Sequence, residues 1–277
     1  MLRGNLPEHE YQGLLAQTWD LFRGDTSNWP DRFFFLDLIE RFGQPVLDVG
    51  CGTGRLLLDY LQRGVDIDGV DNSPDMLALC RQKAKALNLK PTLYEQYLET
   101  LFLPRQYSTI LIQSSTLQLI IEPALVKESL DRLYAHLLPG GTVVSPIMTL
   151  WETGEPLTTE TEKTAVREED GAKFRRVARS RFEPESECEH TEDRYQLIVA
   201  DQVVAEEVHR RSPATRLYNQ AQARKLFESA GFNPVNLYSE FSFEPVKADD
   251  TLFTVVAQKA GSAIIAGREI KRINAIV

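Results

Sequence analysis

The stretch VLDVGCGTGRLL, residues 46–57, places Gly50, Gly52 and Gly54 straight after an apolar run that contains Asp48. Glycine admits positive φ and lets bare main chain lie against a ligand. A glycine turn between a strand and a helix can therefore hold a bulky or charged group at the helix N-terminus. Asp71, in GVDNSPDML, follows the first glycine by 71 − 50 = 21 positions, where the next strand would end. A carboxylate there can accept hydrogen bonds from the two hydroxyls of a ribose. A nicotinamide dinucleotide asks for G-x-G-x-x-G. Counted from Gly50 and Gly52 the third glycine falls on Arg55, and from Gly52 and Gly54 on Leu57, so neither register fits.

The elements that position this loop follow from periodicity. Tyr11, Leu14, Leu15, Trp19 and Phe22 recur at three- and four-residue steps, and PDRFFFLDLIERFG begins a second helix behind Pro30. PVLDVG reads as a short buried strand and residues 56–61 as a helix leaving the loop. VDIDGVD, PTLYEQ, YSTILIQSS and LPGGTVVSPIM supply four more strands. Ser73-Pro74 caps a helix carrying Met76, Leu77 and Cys80, and Leu130, Leu133 and Leu137 mark another. Strand and helix alternate from residue 46 to 148, which means a parallel sheet covered on both faces.

The rhythm then breaks. AKFRRVARSRF, CEHTEDRYQLIVA and VVAEEVHRR are three extended, charge-rich segments, the last two joined by a tight turn at Asp201-Gln202. They predict an inserted antiparallel meander. YNQAQARKLFESAGF restores a helix, closed by Gly231, and NPVNLYSEF and TLFTVVAQK are strands. The fold class is α/β, a doubly wound seven-stranded, mostly parallel sheet with N-terminal helices.

Bulk properties narrow the partners. A net charge of −9 repels polyphosphates, and Arg175, Arg176, Arg179 and Arg181 are flanked by acids, as on a solvated strand face. Nucleic acid is not expected as substrate. No apolar run approaches the roughly 18 residues of a membrane span. MLRGNLPEHEYQG lacks the apolar core of a secretory signal, and three cysteines do not make a disulfide framework or zinc site. The expected setting is the cytoplasm, without membrane or metal.

LDVGCGTG closely resembles the first motif of the class I S-adenosylmethionine-dependent methyltransferases, D/E-x-G-x-G-x-G, with Asp48, Gly50, Gly52 and Gly54 in place. GVDNSPDML resembles the end of that family's second strand, and YSTILIQSS and LLPGG its fourth strand and the turn before the fifth. The resemblance covers about residues 46–148 and returns at 220–259. It implies strand order 3-2-1-4-5-7-6 and four regions. These are an N-terminal helical lid (1–43), a donor-binding core (44–150 and 214–260), an antiparallel insert over the active site (151–213) and a tail (261–277).

What the resemblance implies for the site is specific. S-adenosylmethionine is the cofactor, its ribose held by a buried Asp71 and its amino-acid end by the glycine loop. Asp48 reaches the ammonium or orders the loop through water. Cys51, Asn72, Tyr97 and Gln113 join the cofactor set. Met76 lines the adenine or packs in the core. The family's adenine-binding acid is replaced by Glu95-Gln96, so either the Gln96 carbonyl or Glu95 accepts from the adenine amine. A sulfonium methyl is already activated, so alignment and water exclusion are the main demands on the protein.

Candidates on the acceptor side are His209 as base and Ser115 beside it. Thr116, with Tyr11, Trp19 and Trp151, would bind substrate. Ser115 and Thr116 could equally cap backbone, and Trp151 could equally pack a hinge. His9 and His136 read as surface residues. QSST stands where base-modifying enzymes of the family carry N-P-P-Y, and no acidic pair has magnesium-site spacing. The acceptor expected is a small molecule, N or O, as in sugar-amine and peptide-amine N-methyltransferases, and the protein a monomer or homodimer. A donor-binding sensor without turnover is the alternative reading, and a nicotinamide enzyme a distant one.

Overall fold

The computed structural model describes residues 11–152 and 154–261; His9 and nearly all of the tail lie outside the described residues. The sheet is built around β1 (Val46–Val49), whose four residues are all buried. Val46 packs to one side, with Leu38, Leu57 and Leu77, while Leu47 and Val49 pack to the other, with Ile110, Leu133 and Phe253. A strand apolar on both faces belongs in the middle of a covered parallel sheet. Accordingly β1 pairs in parallel with β2 (Ile67–Asp71) and with β4 (Tyr107–Ile112).

Beyond these lie β3 (Thr92–Glu95), β5 (Leu137–Met148) and the final antiparallel pair β10 (Val235–Ser239) and β11 (Leu252–Gln258). The order is β10-β11-β5-β4-β1-β2-β3, the expected 3-2-1-4-5-7-6 once the insert's strands are set aside. Helices α2 (Pro30–Phe42), α3 (Arg55–Gln62) and α4 (Pro74–Ala86) cover one face. Helices α5 (Pro123–His136) and α6 (Gln220–Ser229) cover the other.

The insert has four strands, one more than its sequence predicts. β7 (Lys173–Glu183), β8 (Cys188–Val199) and β9 (Gln202–Arg216) match the three extended segments. The fourth, β6 (Thr158–Val166), is exposed at all but one position, so TTETEKTAV shows no apolar alternation to betray it. The β8–β9 turn falls at Ala200-Asp201, both at positive φ, one residue earlier than expected. Cross-strand pairing absorbs the arginine run. Arg175 bonds Glu162 at 2.7 Å and Arg176 bonds Asp193 at 2.8 Å, while Arg179 pairs with Glu160.

Helix α1 (Gly13–Arg23) joins meander to core. Its Leu14, Leu15 and Ala16 pack with Phe174 and Tyr195 of the meander and Met76 of α4. Leu14 N–H donates to Glu207 of β9 at 2.7 Å and Gly13 N–H to Asp75 of α4 at 2.8 Å. Asp20 accepts from Thr53 in the glycine loop (2.8 Å) and from Lys83 of α4 (2.6 Å).

Candidate active site

A cavity of about 720 Å³ opens at the carboxyl ends of the parallel strands, beside the switch point between β1 and β4. Over β1, β2 and β3 it is lined by Gly50, Cys51, Gly52, Asp71, Asn72, Gln96 and Tyr97, with Gln113 from the end of β4. Over β4, β5 and β11 it is lined by Ser115, Thr116, Leu119, Ile120, Pro146 and Leu252. Helix α1 closes it with Trp19 and Arg23, next to Tyr11, and β9 contributes Arg211.

The three loop glycines answer to three different neighbours. A Cβ on Gly50 would come within 2.5 Å of Thr116 Oγ1, so this glycine lets the acceptor-side loop close down on β1. A Cβ on Gly54 would strike Cys80 Sγ at 2.6 Å, so that one serves the packing of α3 on α4, away from the cavity wall. Only at Gly52 would a side chain meet open space, its nearest neighbour being Gly50 O at 3.9 Å. Gly52 is the bare wall.

Asp71 is half-buried rather than buried. Its Oδ2 accepts from Gly52 N–H at 2.8 Å and its Oδ1 from Ser73 N–H at 2.9 Å. Asp48 is fully buried behind the loop. Gln113 Nε2 donates to its Oδ1, while Oδ2 has no partner. Burial pushes the Asp48 carboxyl up to about 7, against a lowering by Gln113 and the Arg55 charge. Arg55 itself is committed to Asp31 (3.0 Å).

Residues 46–141 match the family described as a methyltransferase domain. The core is a class I, S-adenosylmethionine-dependent methyltransferase domain. The chain is 26% identical over 232 residues to an N,N-dimethyltransferase from Streptomyces fradiae that acts on dTDP-3-amino-3,6-dideoxy-α-D-glucopyranose, covering 82% of this chain and 87% of that one. Its fold is similar to an S-adenosylmethionine-dependent methyltransferase from Clostridium acetobutylicum, with TM-score 0.71, 19% identity and coverage of 88% and 97%. It is also similar to a sugar N-methyltransferase from a Streptoalloteichus species, with TM-score 0.68, 21% identity and coverage of 94% and 99%.

The methyltransferase site suits that donor on its own geometry. Asp48 does not line the cavity and keeps its orphaned Oδ2 behind the loop, while the wall at Gly52 leaves room for the donor's tail. Arg23, which sequence reasoning passed over, supplies the opposite charge. It lies 4.1 Å over the Trp19 ring and within 5.8 Å of Trp29, with no carboxylate at ion-pair distance among the described residues. Burial, and after it the Arg55 charge, hold its guanidinium below the ordinary value. The only sequence signal for it was its place one turn beyond Trp19 on the same helix.

Several expected residues do other work. Gln96 lines the cavity and also clamps a loop, its Oε1 accepting from Phe102 N–H (2.8 Å) and its Nε2 donating to Phe102 O (3.1 Å), which uses one of the two lone pairs of the carbonyl offered to adenine. Met76 both lines the cavity and packs against α1. Trp151 is off the cavity wall, stacked on Phe182 at 5.2 Å. His209 is also off it; its Nε2 meets Glu207 at 3.1 Å and its ring packs on Tyr195. His136 is buried, not superficial: its Nε2 accepts from Leu103 N–H (2.9 Å) and its Nδ1 donates to Arg132 O (2.7 Å). Gln118, in the turn after Thr116, is buried and bonded to both backbone groups of Met148. Among the described residues no cluster of His, Cys, Asp or Glu could hold a metal ion.

Proposed function

We propose that this methyltransferase N-methylates a neutral amine on a small ring-sized acceptor, of the amino-sugar class. The supporting observation is the make-up of the cavity over β4, β5 and β11. Leu119, Ile120, Pro146 and Leu252 form its walls and the hydroxyls of Ser115 and Thr116 its polar spots; among the described residues no imidazole lines the cavity, and of its carboxylates Asp31 is paired with Arg55 and Asp71 with the Gly52 and Ser73 amides, which leaves Glu99. S-adenosylmethionine supplies an electrophilic methyl group. An amine that arrives unprotonated carries its own lone pair and needs no enzymic base, whereas a hydroxyl acceptor gains from one. Ser115 and Thr116 would orient the acceptor rather than remove its proton, and His209 is assigned no base role.

In this reading α1 and α2 form a lid, the meander overhangs the acceptor, and Tyr11, Trp19 and Arg23 exclude water from the transferred methyl. The working compartment proposed is the cytoplasm; no helix among the described residues is long and apolar enough to cross a membrane. The test is a panel of matched acceptors, amino sugars against their hydroxyl counterparts, assayed by S-adenosylhomocysteine release and mass shift. Methyl addition to the amines alone supports the reading. Turnover only with phenols or hydroxyl sugars overturns it.

A further inference from the structure

We propose that Glu99 selects the base of the methyl donor, its carboxylate accepting a hydrogen bond from the 6-amino group of adenine. Glu99 lines the cavity directly after Gln96, Tyr97 and Leu98, in the short helical turn Leu98–Thr100 that follows β3. It is 9% exposed, and among the described residues no donor other than its own backbone amide reaches its carboxylate. The other carboxylates on the cavity wall are engaged, Asp31 by Arg55 and Asp71 by the Gly52 and Ser73 amides. Burial pushes the Glu99 carboxyl above its ordinary range; its own amide opposes that, and the Glu128 charge on α5 adds to it. A buried carboxylate that no neighbouring residue offsets destabilises the fold. Its place on the wall of a ligand cavity points to a partner that arrives with the ligand.

Strand order says which part of the donor lies there. The tail belongs at the glycine loop after β1 and the ribose at Asp71 after β2. The base then falls to the residues after β3, the next strand in the sheet. Its 6-amino group is a hydrogen-bond donor and needs an acceptor. Glu95 is exposed and off the cavity wall, and Gln96 already spends one lone pair of its carbonyl on Phe102 N–H. Glu99 stands three residues further on, with two carboxylate oxygens able to accept. The acceptor half of the cavity is elsewhere: β3 is the edge of the sheet, three places from β4, whereas the acceptor walls lie over β4, β5 and β11.

Isothermal titration with S-adenosylhomocysteine and S-inosylhomocysteine tests this without any methyl acceptor. The inosyl compound carries a carbonyl where adenine carries the amine, so the Glu99 carboxylate would face an oxygen with no proton to share. Wild type should prefer the adenosyl compound about 100-fold, because a site built to accept from an amine rejects the analogue that lacks it. Glu99→Gln should bind the adenosyl compound about tenfold more weakly, since a neutral acceptor replaces a charged one. Its amide can also donate to the inosyl carbonyl, so the preference should shrink to about tenfold or less. Glu99→Ala should lose affinity for the adenosyl compound while binding the inosyl compound at least as well as wild type does. The Tm of both variants without ligand should hold or rise, because a buried charge is removed. A preference equal in wild type and Glu99→Gln overturns the proposal, and so does a wild type that binds the two compounds equally.

Discussion

Asp71 Oδ2 accepts a hydrogen bond from the Gly52 amide at 2.8 Å, so the acid that ends β2 is tied directly to the bare wall of the glycine loop. Asp71 also lines the cavity, and a carboxylate oxygen can accept more than one hydrogen bond. Asp71→Ala therefore removes a charge-assisted acceptor of the donor's hydroxyls, worth about 1.5–3 kcal/mol, and loosens the loop as well. Donor affinity by isothermal titration should fall about 10- to 100-fold. Asp71→Asn, which retains one acceptor for Gly52, should lose less. An unchanged dissociation constant in both variants would remove the ribose assignment.

The second prediction concerns pH. Burial raises Asp48 to about 7, so the folded protein without donor keeps the proton that an unfolded chain releases at ordinary acid pH. The folded state thus binds more protons across that interval, and this residue's contribution to stability falls as pH rises toward 7. A cationic ammonium on the cavity side of the loop favours the ionised form. Donor affinity should accordingly rise with pH up to about 7 and then level off. Titration at pH 6 in buffers of differing ionisation enthalpy should show about one proton released per donor bound, and close to none at pH 8.5. Asp48→Asn should abolish the release. If wild type and variant release the same number of protons, another group is responsible.

How far these assignments were legible in the sequence depended on whether a residue's partner was near in the chain or far away. The core strands announce themselves because Val46–Val49 and Tyr107–Ile112 are apolar on both faces, and the loop because its glycines follow directly on β1. Strand β6 was invisible because pairing with β7, not burial, holds it. Gln96 and His209 have partners that no spacing rule reports: Gln96 lines the cavity but also holds Phe102, and His209 lies off the cavity against Glu207. Arg23 escaped notice because a lone arginine on an amphipathic helix looks solvated until Trp19 and Trp29 are seen around it.

Gly52 and Gly54 belong to one motif yet should fail in different ways. Both have positive φ (53° and 86°), so alanine costs each about 1 kcal/mol of backbone strain. Beyond that shared cost, Gly54→Ala presses a methyl onto Cys80 Sγ and Leu58, an overpacking worth about 1–3 kcal/mol. Its signature should be a lower Tm with donor affinity little changed. Gly52→Ala meets nothing in the protein and projects where the donor lies, so its signature should be lost affinity with the smaller drop in Tm. Thermal melts and titrations of the two variants side by side check this. Equal losses of affinity would mean that Gly54 also touches the donor.

Arg23 should behave as a residue kept for binding at no gain to the fold. Its charge is largely desolvated and sits near the Arg55 charge; Asp20 and Asp31 attract it only from beyond ion-pair distance, and its near partners are ring faces, contacts worth about 0.5–2 kcal/mol. Arg23→Gln gives up those contacts but relieves a desolvated cation that its distant carboxylates only partly offset, so the Tm without donor should barely move. Donor affinity should fall about tenfold, because the methionyl carboxylate loses its ion-pair partner in a poorly hydrated site. Arg23→Lys should recover only part, since a compact ammonium neither stacks on Trp19 nor forks to a carboxylate. 5′-Methylthioadenosine, which lacks the amino-acid tail, separates this from a general loss of shape. Its affinity should be the same in wild type and Arg23→Gln, and a parallel fall would move Arg23 from the carboxylate to the nucleoside end of the cavity.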